Sequence, residues 1–174
     1  MGKTLYLLRH AKSSWEDPSL ADRDRPLAAR GRRACAVIAE HLASRRIAPA
    51  LVLCSPSKRT RETLAGVSAG FGSEPEVRLD EDLYPASAQD LLDRLRRVDA
   101  AVDSVMAIGH QPAIGELASS LALDRAAVER LRDKFPTAAL ATLAFEGSWA
   151  ELAPGCAQLV AFVTPRELEG SRNS

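Results

Sequence analysis

Two histidines and two arginines follow apolar segments of this sequence and could together bind a phosphoryl group. Arg9 and His10 follow the run TLYLL, Arg59 lies just after the run ALVLC, and His110 ends the run SVMAIGH. An arginine presents a planar fork of donors that pairs with two phosphate oxygens at once. A neutral histidine can attack phosphorus and form a phosphohistidine. The residue types therefore indicate a phosphate-sized cationic site that contains a nucleophile.

Alternating apolar runs and amphipathic segments predict the elements that position these residues. We expect strands at TLYLL, PALVLCS, EVRLD, SVMAIGH, AALATLAFEG and AQLVAFVT, and helices over 27–45, 57–69, 87–98 and 113–122. This alternation predicts one α/β domain over residues 1–168, with a mostly parallel sheet, helices on both faces and an antiparallel edge formed by the last two strands. Residues 169–174 are predicted to form a polar tail.

The expected sheet explains why the cationic residues should meet. In an open α/β sheet, ligands bind outside the carboxyl ends of the strands. Three strong strands each end in a basic or imidazole group, so these groups should share one edge. Neighbouring positive charges lower the pKa of a histidine. Such a site would therefore keep its histidine nucleophile neutral, and we expect its second ring nitrogen to donate to a backbone carbonyl.

Composition argues against several other classes of function. The chain has 23 Lys and Arg residues against 23 Asp and Glu residues, so neither a nucleic-acid partner nor a membrane surface is expected. Its three cysteines are far apart in sequence, which favours a reducing compartment over a disulfide framework. The opening apolar run is too short for a signal peptide. These features predict a cytoplasmic protein.

Three segments in order, LLRHAKSSW, CSPSKRTRET and IGHQPAIGELA, resemble the histidine phosphatase (phosphoglycerate-mutase-like) superfamily and its SixA-type phosphohistidine phosphatase branch. The resemblance runs from about Thr4 to about Leu168, although Ala11 stands where the mutases usually have glycine. It implies a three-layer α/β/α sandwich without a metal or organic cofactor. It also implies that His10 accepts the phosphoryl group, that Arg9 and Arg59 bind it, and that His110 completes the pocket.

The resemblance also implies an acid that protonates the leaving group. The segment LDEDLYPAS offers Asp82 and Glu81, and we favour Asp82 because it immediately precedes Leu-Tyr-Pro. Neither is essential for a phosphohistidine substrate, because imidazole is a better leaving group than an alkoxide. Lys12 and Ser13 follow the nucleophile and are predicted to bind substrate, although a lysine in a loop is more often solvated.

Other polar residues near these motifs have structural interpretations. We expect Asp22 and Arg25 to form an ion pair at a helix entry, with Arg25 at the pocket rim as the alternative. We expect Trp15 to anchor its loop, Arg61 to be a surface charge and His41 to pack within a helix. A zinc site is disfavoured because the histidines and cysteines lack close ligand spacing.

The sequence thus predicts a metal-independent phosphatase that forms a phosphohistidine intermediate and acts on phosphohistidine in a protein. The chain is too short for a large cap over the site, which suits a protein substrate. A small-molecule phosphomonoester phosphatase or mutase is the first alternative. The second is a phospho-binding module without turnover. The sequence does not predict an oligomeric state.

Overall fold

Six strands form one sheet in the computed structural model, which describes residues 2–172. The strand order is β3-β2-β4-β1-β5-β6. The β1–β4, β4–β2 and β2–β3 pairs are parallel, whereas β5 and β6 continue the sheet in antiparallel pairs. The predicted parallel sheet with an antiparallel edge is therefore confirmed. The strands are β1 (Gly2–Arg9), β2 (Leu51–Cys54), β3 (Glu76–Leu79), β4 (Ser104–Gly109), β5 (Leu140–Glu146) and β6 (Gln158–Val163).

Six α-helices cover the two faces of this sheet. One face carries α1, α2 and α6, and the other carries α3, α4 and α5, each over its own apolar cluster. This arrangement confirms the α/β/α sandwich. The helices are α1 (Ala29–Ser44), α2 (Lys58–Val67), α3 (Ala88–Arg96), α4 (Ala113–Leu121), α5 (Arg125–Asp133) and α6 (Pro165–Arg172). No helix of the described chain is long and apolar enough to span a membrane.

Two of these helices were not predicted, and both are short and polar. α5 buries only Ala127 and Leu131, and α6 buries no residue, so each contributes few residues to the core. Residues 169–172 of the predicted tail belong to α6, while 173 and 174 lie outside the described residues.

The loop that follows His10 is fixed against the start of α1. The helix begins at Ala29 and not at Leu27, because Leu27 forms a bridge with Ser13. The Ala28 N–H donates to the Lys12 carbonyl at 2.8 Å, and Gly31 lies directly over the same peptide. A Cβ added at Gly31 would come 2.2 Å from the Lys12 carbonyl oxygen. The bare glycine therefore lets the helix approach the backbone beside the site.

We expect Gly31→Ala to destabilise the protein by roughly 1–3 kcal/mol, because backbone must move to admit the methyl group. Gly170→Ala is the matched control, since a Cβ there meets nothing within 4 Å in α6. That change should be neutral or stabilising by up to about 1 kcal/mol. Urea unfolding measures both. Equal midpoints for the two variants would contradict the close packing at Gly31.

Candidate active site

The carboxyl ends of β1, β4 and β2 bring the predicted residues together. The His10 N–H donates to the Gly109 carbonyl and the Ser55 N–H donates to the Ile108 carbonyl, each at 3.0 Å. These bonds extend the parallel register past the last strand residues. As a result, the His10 and His110 rings lie 5.3 Å apart between centroids. Arg9, His10, Arg59 and His110 are called the four-residue cluster below.

Arg59 enters the cluster from the first turn of α2, which Ser57 caps. Its side chain is buried, with 6% of the residue exposed. Its Nη1 donates to the Asp22 carbonyl at 2.7 Å, and its Nη2 lies 3.0 Å from Asp22 Oδ2 and 3.3 Å from His110 Nδ1. The Arg59 guanidinium is therefore fixed in orientation beside the carboxyl ends of β1, β2 and β4.

Arg9 is held by the segment that follows α5. Its Nη1 donates to the Phe135 carbonyl at 2.9 Å, and burial lowers its pKa. The Nε atoms of Arg9 and Arg59 are both buried, and neither has a hydrogen-bond partner among the described residues. A buried guanidinium with unused donors is costly unless an anion meets it. The two arginines thus favour an anionic ligand at the cluster.

The His10 ring has a defined tautomer. Its Nδ1 lies 2.7 Å from the Ala11 carbonyl oxygen, which carries no proton, so Nδ1–H must donate. This is the backbone hydrogen bond expected from the sequence. In the neutral ring the proton-free nitrogen is then Nε2, whose lone pair is available for attack on phosphorus.

His110 has the opposite tautomer for the same reason. Arg59 Nη2 can only donate, so the His110 Nδ1 that lies 3.3 Å away must accept. The neutral ring then carries its proton on Nε2, which donates to Ser55 Oγ at 2.7 Å. His110 therefore links Ser55, at the end of β2, to the Arg59 guanidinium.

Burial and neighbouring cations keep both histidines uncharged. The pKa of His10 falls to about 4, chiefly because the ring is buried and also because of the positive charges on Arg59, Arg9 and Arg25. The pKa of His110 falls to about 3 through burial, then Arg59 and His10. Both lie well below the ordinary histidine value of about 6.5. At neutral pH the cluster therefore has two cations and two neutral imidazoles.

Asp22 and Tyr84 form a hydrogen-bonded pair that holds Arg59, and the sequence did not predict this pair. The Tyr84 hydroxyl donates to Asp22 Oδ2 at 2.5 Å. That bond, followed by the contact with Arg59, lowers the pKa of Asp22 to about 2 although burial opposes it. Asp22 is therefore ionised and unable to act as a proton donor at neutral pH. It is the one carboxylate in residues 2–172 that hydrogen-bonds to the cluster.

The loop residues near Asp22 have the structural roles expected of them. Arg25 Nε lies 3.3 Å from Asp22 Oδ1, and its guanidinium carbon lies 3.4 Å from the centroid of the Trp15 ring. The ion pair and the stacked tryptophan together hold the loop that carries Asp22. Arg61, two residues after Arg59, is exposed and donates to the Pro56 carbonyl instead of entering the cluster.

The structure does not bring the predicted proton donor to the cluster. Asp82 lies in a 3₁₀ turn, Glu81–Leu83, where its side chain is 71% exposed and pairs with Arg97 at 3.3 Å. Glu81 pairs with Arg23 on the surface. In this turn the side chain that reaches the site comes from Tyr84. The sequence signal was the segment EDLYP. The backbone turns Asp82 toward solvent and places Tyr84, two residues later, at the site.

The two predicted substrate-binding residues also lie elsewhere. Ser13 is buried and forms a backbone bridge with Leu27, so its place is structural. Lys12 is exposed and lines a separate groove beside the start of α1. Neither contacts the four-residue cluster through a side-chain hydrogen bond in the described chain.

Comparison with known proteins places this arrangement in a family. The sequence model of the histidine phosphatase superfamily (branch 1) matches residues 5–91, which include Arg9, His10 and Arg59. The chain belongs to the histidine phosphatase superfamily. His110 lies outside the matched residues, so its place beside His10 comes from the β1–β4 register.

Similar proteins place the chain in the SixA-like branch of the histidine phosphatases. A SixA-type structure from Nakamurella multipartitia is 30% identical with a TM-score of 0.84, over 95% of this chain and 97% of that one. A SixA-type structure from Agrobacterium tumefaciens is 29% identical with a TM-score of 0.81, over 94% and 98% of the two chains. The uncharacterized protein Rv1276c of Mycobacterium tuberculosis is 40% identical over 91% of this chain and all of its own length.

Both cluster histidines should titrate far below the ordinary range. NMR titration of ring carbon and nitrogen shifts should give His10 an apparent pKa of about 4 and His110 one of about 3. Above pH 5 the spectra should show a protonated Nδ1 on His10 and a protonated Nε2 on His110. Assignment requires single His→Gln variants. Titration of either ring near 6.5 would contradict the proposed burial and charge effects.

Proposed function

We propose that this histidine phosphatase removes the phosphoryl group from phosphohistidine in a protein by transferring it to His10. The observation that carries the proposal is the neutral His10, whose Nε2 lone pair faces the charges of the buried Arg59 and the half-buried Arg9. In the first step the P–N bond to the substrate imidazole breaks as a bond from phosphorus to His10 Nε2 forms. In the second step water attacks phosphorus, His10 leaves, and inorganic phosphate is released.

The arginines supply the charge stabilisation that phosphoryl transfer requires. In such a reaction, negative charge spreads over three equatorial oxygens between attacking and leaving atoms. The guanidinium groups of Arg9 and Arg59 are fixed before substrate arrives, so they lose little freedom on binding it. Asp22 and His110 keep Arg59 in place. Catalysis by these residues needs no metal ion, and we propose that the reaction proceeds without one.

The ionised Asp22 supports phosphohistidine over an alkyl phosphate as the substrate. An alkoxide leaves slowly unless an acid protonates it, and Asp22 with a pKa of about 2 holds no proton to give. A phosphohistidine whose second ring nitrogen is protonated leaves as neutral imidazole and needs no such acid. The two SixA-type structures bear the name "putative phosphohistidine phosphatase", which agrees with the same substrate. We also propose that the protein is cytoplasmic, as its sequence predicts.

A matched pair of histidine variants tests the proposed function. His10→Asn should abolish turnover of a phosphohistidine-containing protein and of p-nitrophenyl phosphate, because the nucleophile is removed. His41→Asn is the control, since His41 lies in α1 and contacts none of the cluster residues. Activity is measured as phosphate release with EDTA present, and EDTA should have no effect.

The two substrates separate the alternatives. Preferred turnover of the phosphoprotein supports the proposal, whereas a preferred small ester would assign the site to a small-molecule phosphatase. Full activity in His10→Asn would exclude the covalent route. Binding of phosphate analogues without turnover of either substrate would show a phospho-binding module instead.

A second pair of variants tests the arginine clamp. Arg59→Gln should lower kcat/KM by roughly 10²–10³-fold, because a preorganised donor to the transferred group is lost. Arg61→Gln, on the same helix but outside the cluster, should change kcat/KM by less than about twofold. Thermal unfolding confirms that both variants are folded. Similar effects of the two substitutions would contradict the assignment of Arg59.

A further inference from the structure

A groove of about 760 Å³ lies beside the four-residue cluster and has no part in the chemistry described above. Its walls come from the start of α1, the end of α5 with the segment that follows it, and the start of α6. Apolar wall positions include Ala34, Pro136, Phe162 and Pro165. Six cationic side chains line it, and together they are called the basic groove: Lys12, Arg30, Arg33, Arg130, Lys134 and Arg166.

Most of these cations lack an acidic partner. Three carboxylates also line the groove, Asp133, Glu167 and Glu169, so cations outnumber them two to one. Arg130 lies 3.9 Å from Glu167 and also stacks on the Phe162 ring. The other five cations form no ion pair within residues 2–172. The chain as a whole has zero formal net charge, so this concentration of positive charge is local.

The basic groove and the cluster share a wall. Lys134 and Thr137 line the groove, while the Phe135 carbonyl between them accepts from Arg9. The Ala138 N–H, one residue further, lies 3.1 Å from both the Arg9 and the His10 carbonyl oxygens. A phosphorylated group held at the cluster would therefore be separated from the basic groove by this one segment.

Sheet topology explains this proximity. β1 and β6 run in the same direction, and β5 runs opposite to both, so β1 and β6 end at the edge where β5 begins. The loop after β1 and the first turn of α6 thus lie at the same edge of the sheet. The end of α5, which leads into β5, lies there as well.

We propose that the basic groove binds a carboxylate-rich segment of the phosphoprotein substrate, next to the phosphorylated residue. The inference rests on the proposed function and specifies its substrate class. Unpaired cations spread over two helices and two loop segments fit several separated carboxylates better than one compact anion. The apolar wall positions can pack the aliphatic parts of the same segment. Charges at such a rim raise association rates and select partners of opposite charge.

Peptides of equal length but different charge test the proposal. Three phosphohistidine peptides of equal length carry Asp and Glu, Ser, or Lys at the flanking positions, and p-nitrophenyl phosphate serves as a reference without flanking charge. The wild-type kcat/KM should be highest for the acidic peptide and lowest for the lysine peptide. Added salt should reduce that preference, because exposed charges are screened.

Variants locate the effect in the basic groove. The double variant Arg33→Gln/Arg166→Gln removes two exposed, unpaired cations that touch no cluster residue. It should lower kcat/KM for the acidic peptide by roughly two- to fivefold per cation, the range of exposed ion pairs, and leave p-nitrophenyl phosphate unchanged. Arg132→Gln, an exposed position on α5 outside the groove, is the matched control and should change neither.

The outcomes separate this inference from the proposed function. Equal turnover of the three peptides, or equal loss in the Arg132 control, would overturn the basic groove as a substrate site. If wild type cleaves no phosphohistidine peptide, the proposed function fails, and fluorescence anisotropy with the unphosphorylated acidic peptide still decides the groove. Peptide binding by the wild type that is lost in the double variant supports the basic groove as a binding site. If the wild type does not bind the peptide, the proposal is overturned. Tighter binding of a single-stranded RNA oligonucleotide, also lost in the variant, would assign it to nucleic acid and overturn the proposal.

Discussion

The structure depends on burying positive charge next to two histidines at the ends of three parallel strands. Arg59 is tied to an ionised carboxylate, while the pKa values of His10 and His110 are lowered chiefly by burial and further by the neighbouring positive charges. Because a neutral imidazole is the nucleophilic form, the proposed phosphoryl-binding charge would also help to keep the proposed nucleophile active. The cost of desolvating Arg59 is offset by Asp22 and Tyr84, and the unpaired Nε donors of Arg9 and Arg59 are available to an anion.

The fold converts this electrostatic requirement into fixed geometry. Parallel register places His10 and His110 on neighbouring strands, and the backbone carbonyl of Ala11 sets which nitrogen of His10 is free. The same edge of the sheet extends over β5 and β6, so positive charge continues from the cluster into the basic groove. One sheet edge would therefore combine the three proposed roles: phosphoryl binding, nucleophilic attack and recognition of acidic surroundings.

Sequence reasoning predicted the parts of this site that depend on regular structure. Arg9, His10 and His110 follow apolar strands and Arg59 begins a helix, so topology alone brings them to one edge. Asp22 reaches Arg59 from an irregular loop, whose conformation depends on side-chain contacts such as the Trp15–Arg25 stack. Such contacts leave no periodic pattern in the sequence, so the position of Asp22 could not be predicted.

The differences between the expected and the observed positions have the same origin. Asp82 was favoured over its neighbours because of the segment EDLYP, but a 3₁₀ turn directs Asp82 to the surface and leaves Tyr84 to reach the site. The helices α5 and α6 were missed because they bury few residues and their segments are mostly polar.

The most direct test is to quench the enzyme with base during turnover, because phosphohistidine survives base but not acid, then isolate the phosphoenzyme and identify the phosphorylated nitrogen by NMR or isomer-specific antibodies. We expect phosphate on Nε2 of His10; phosphate on Nδ1, or on any other residue, would contradict the mechanism.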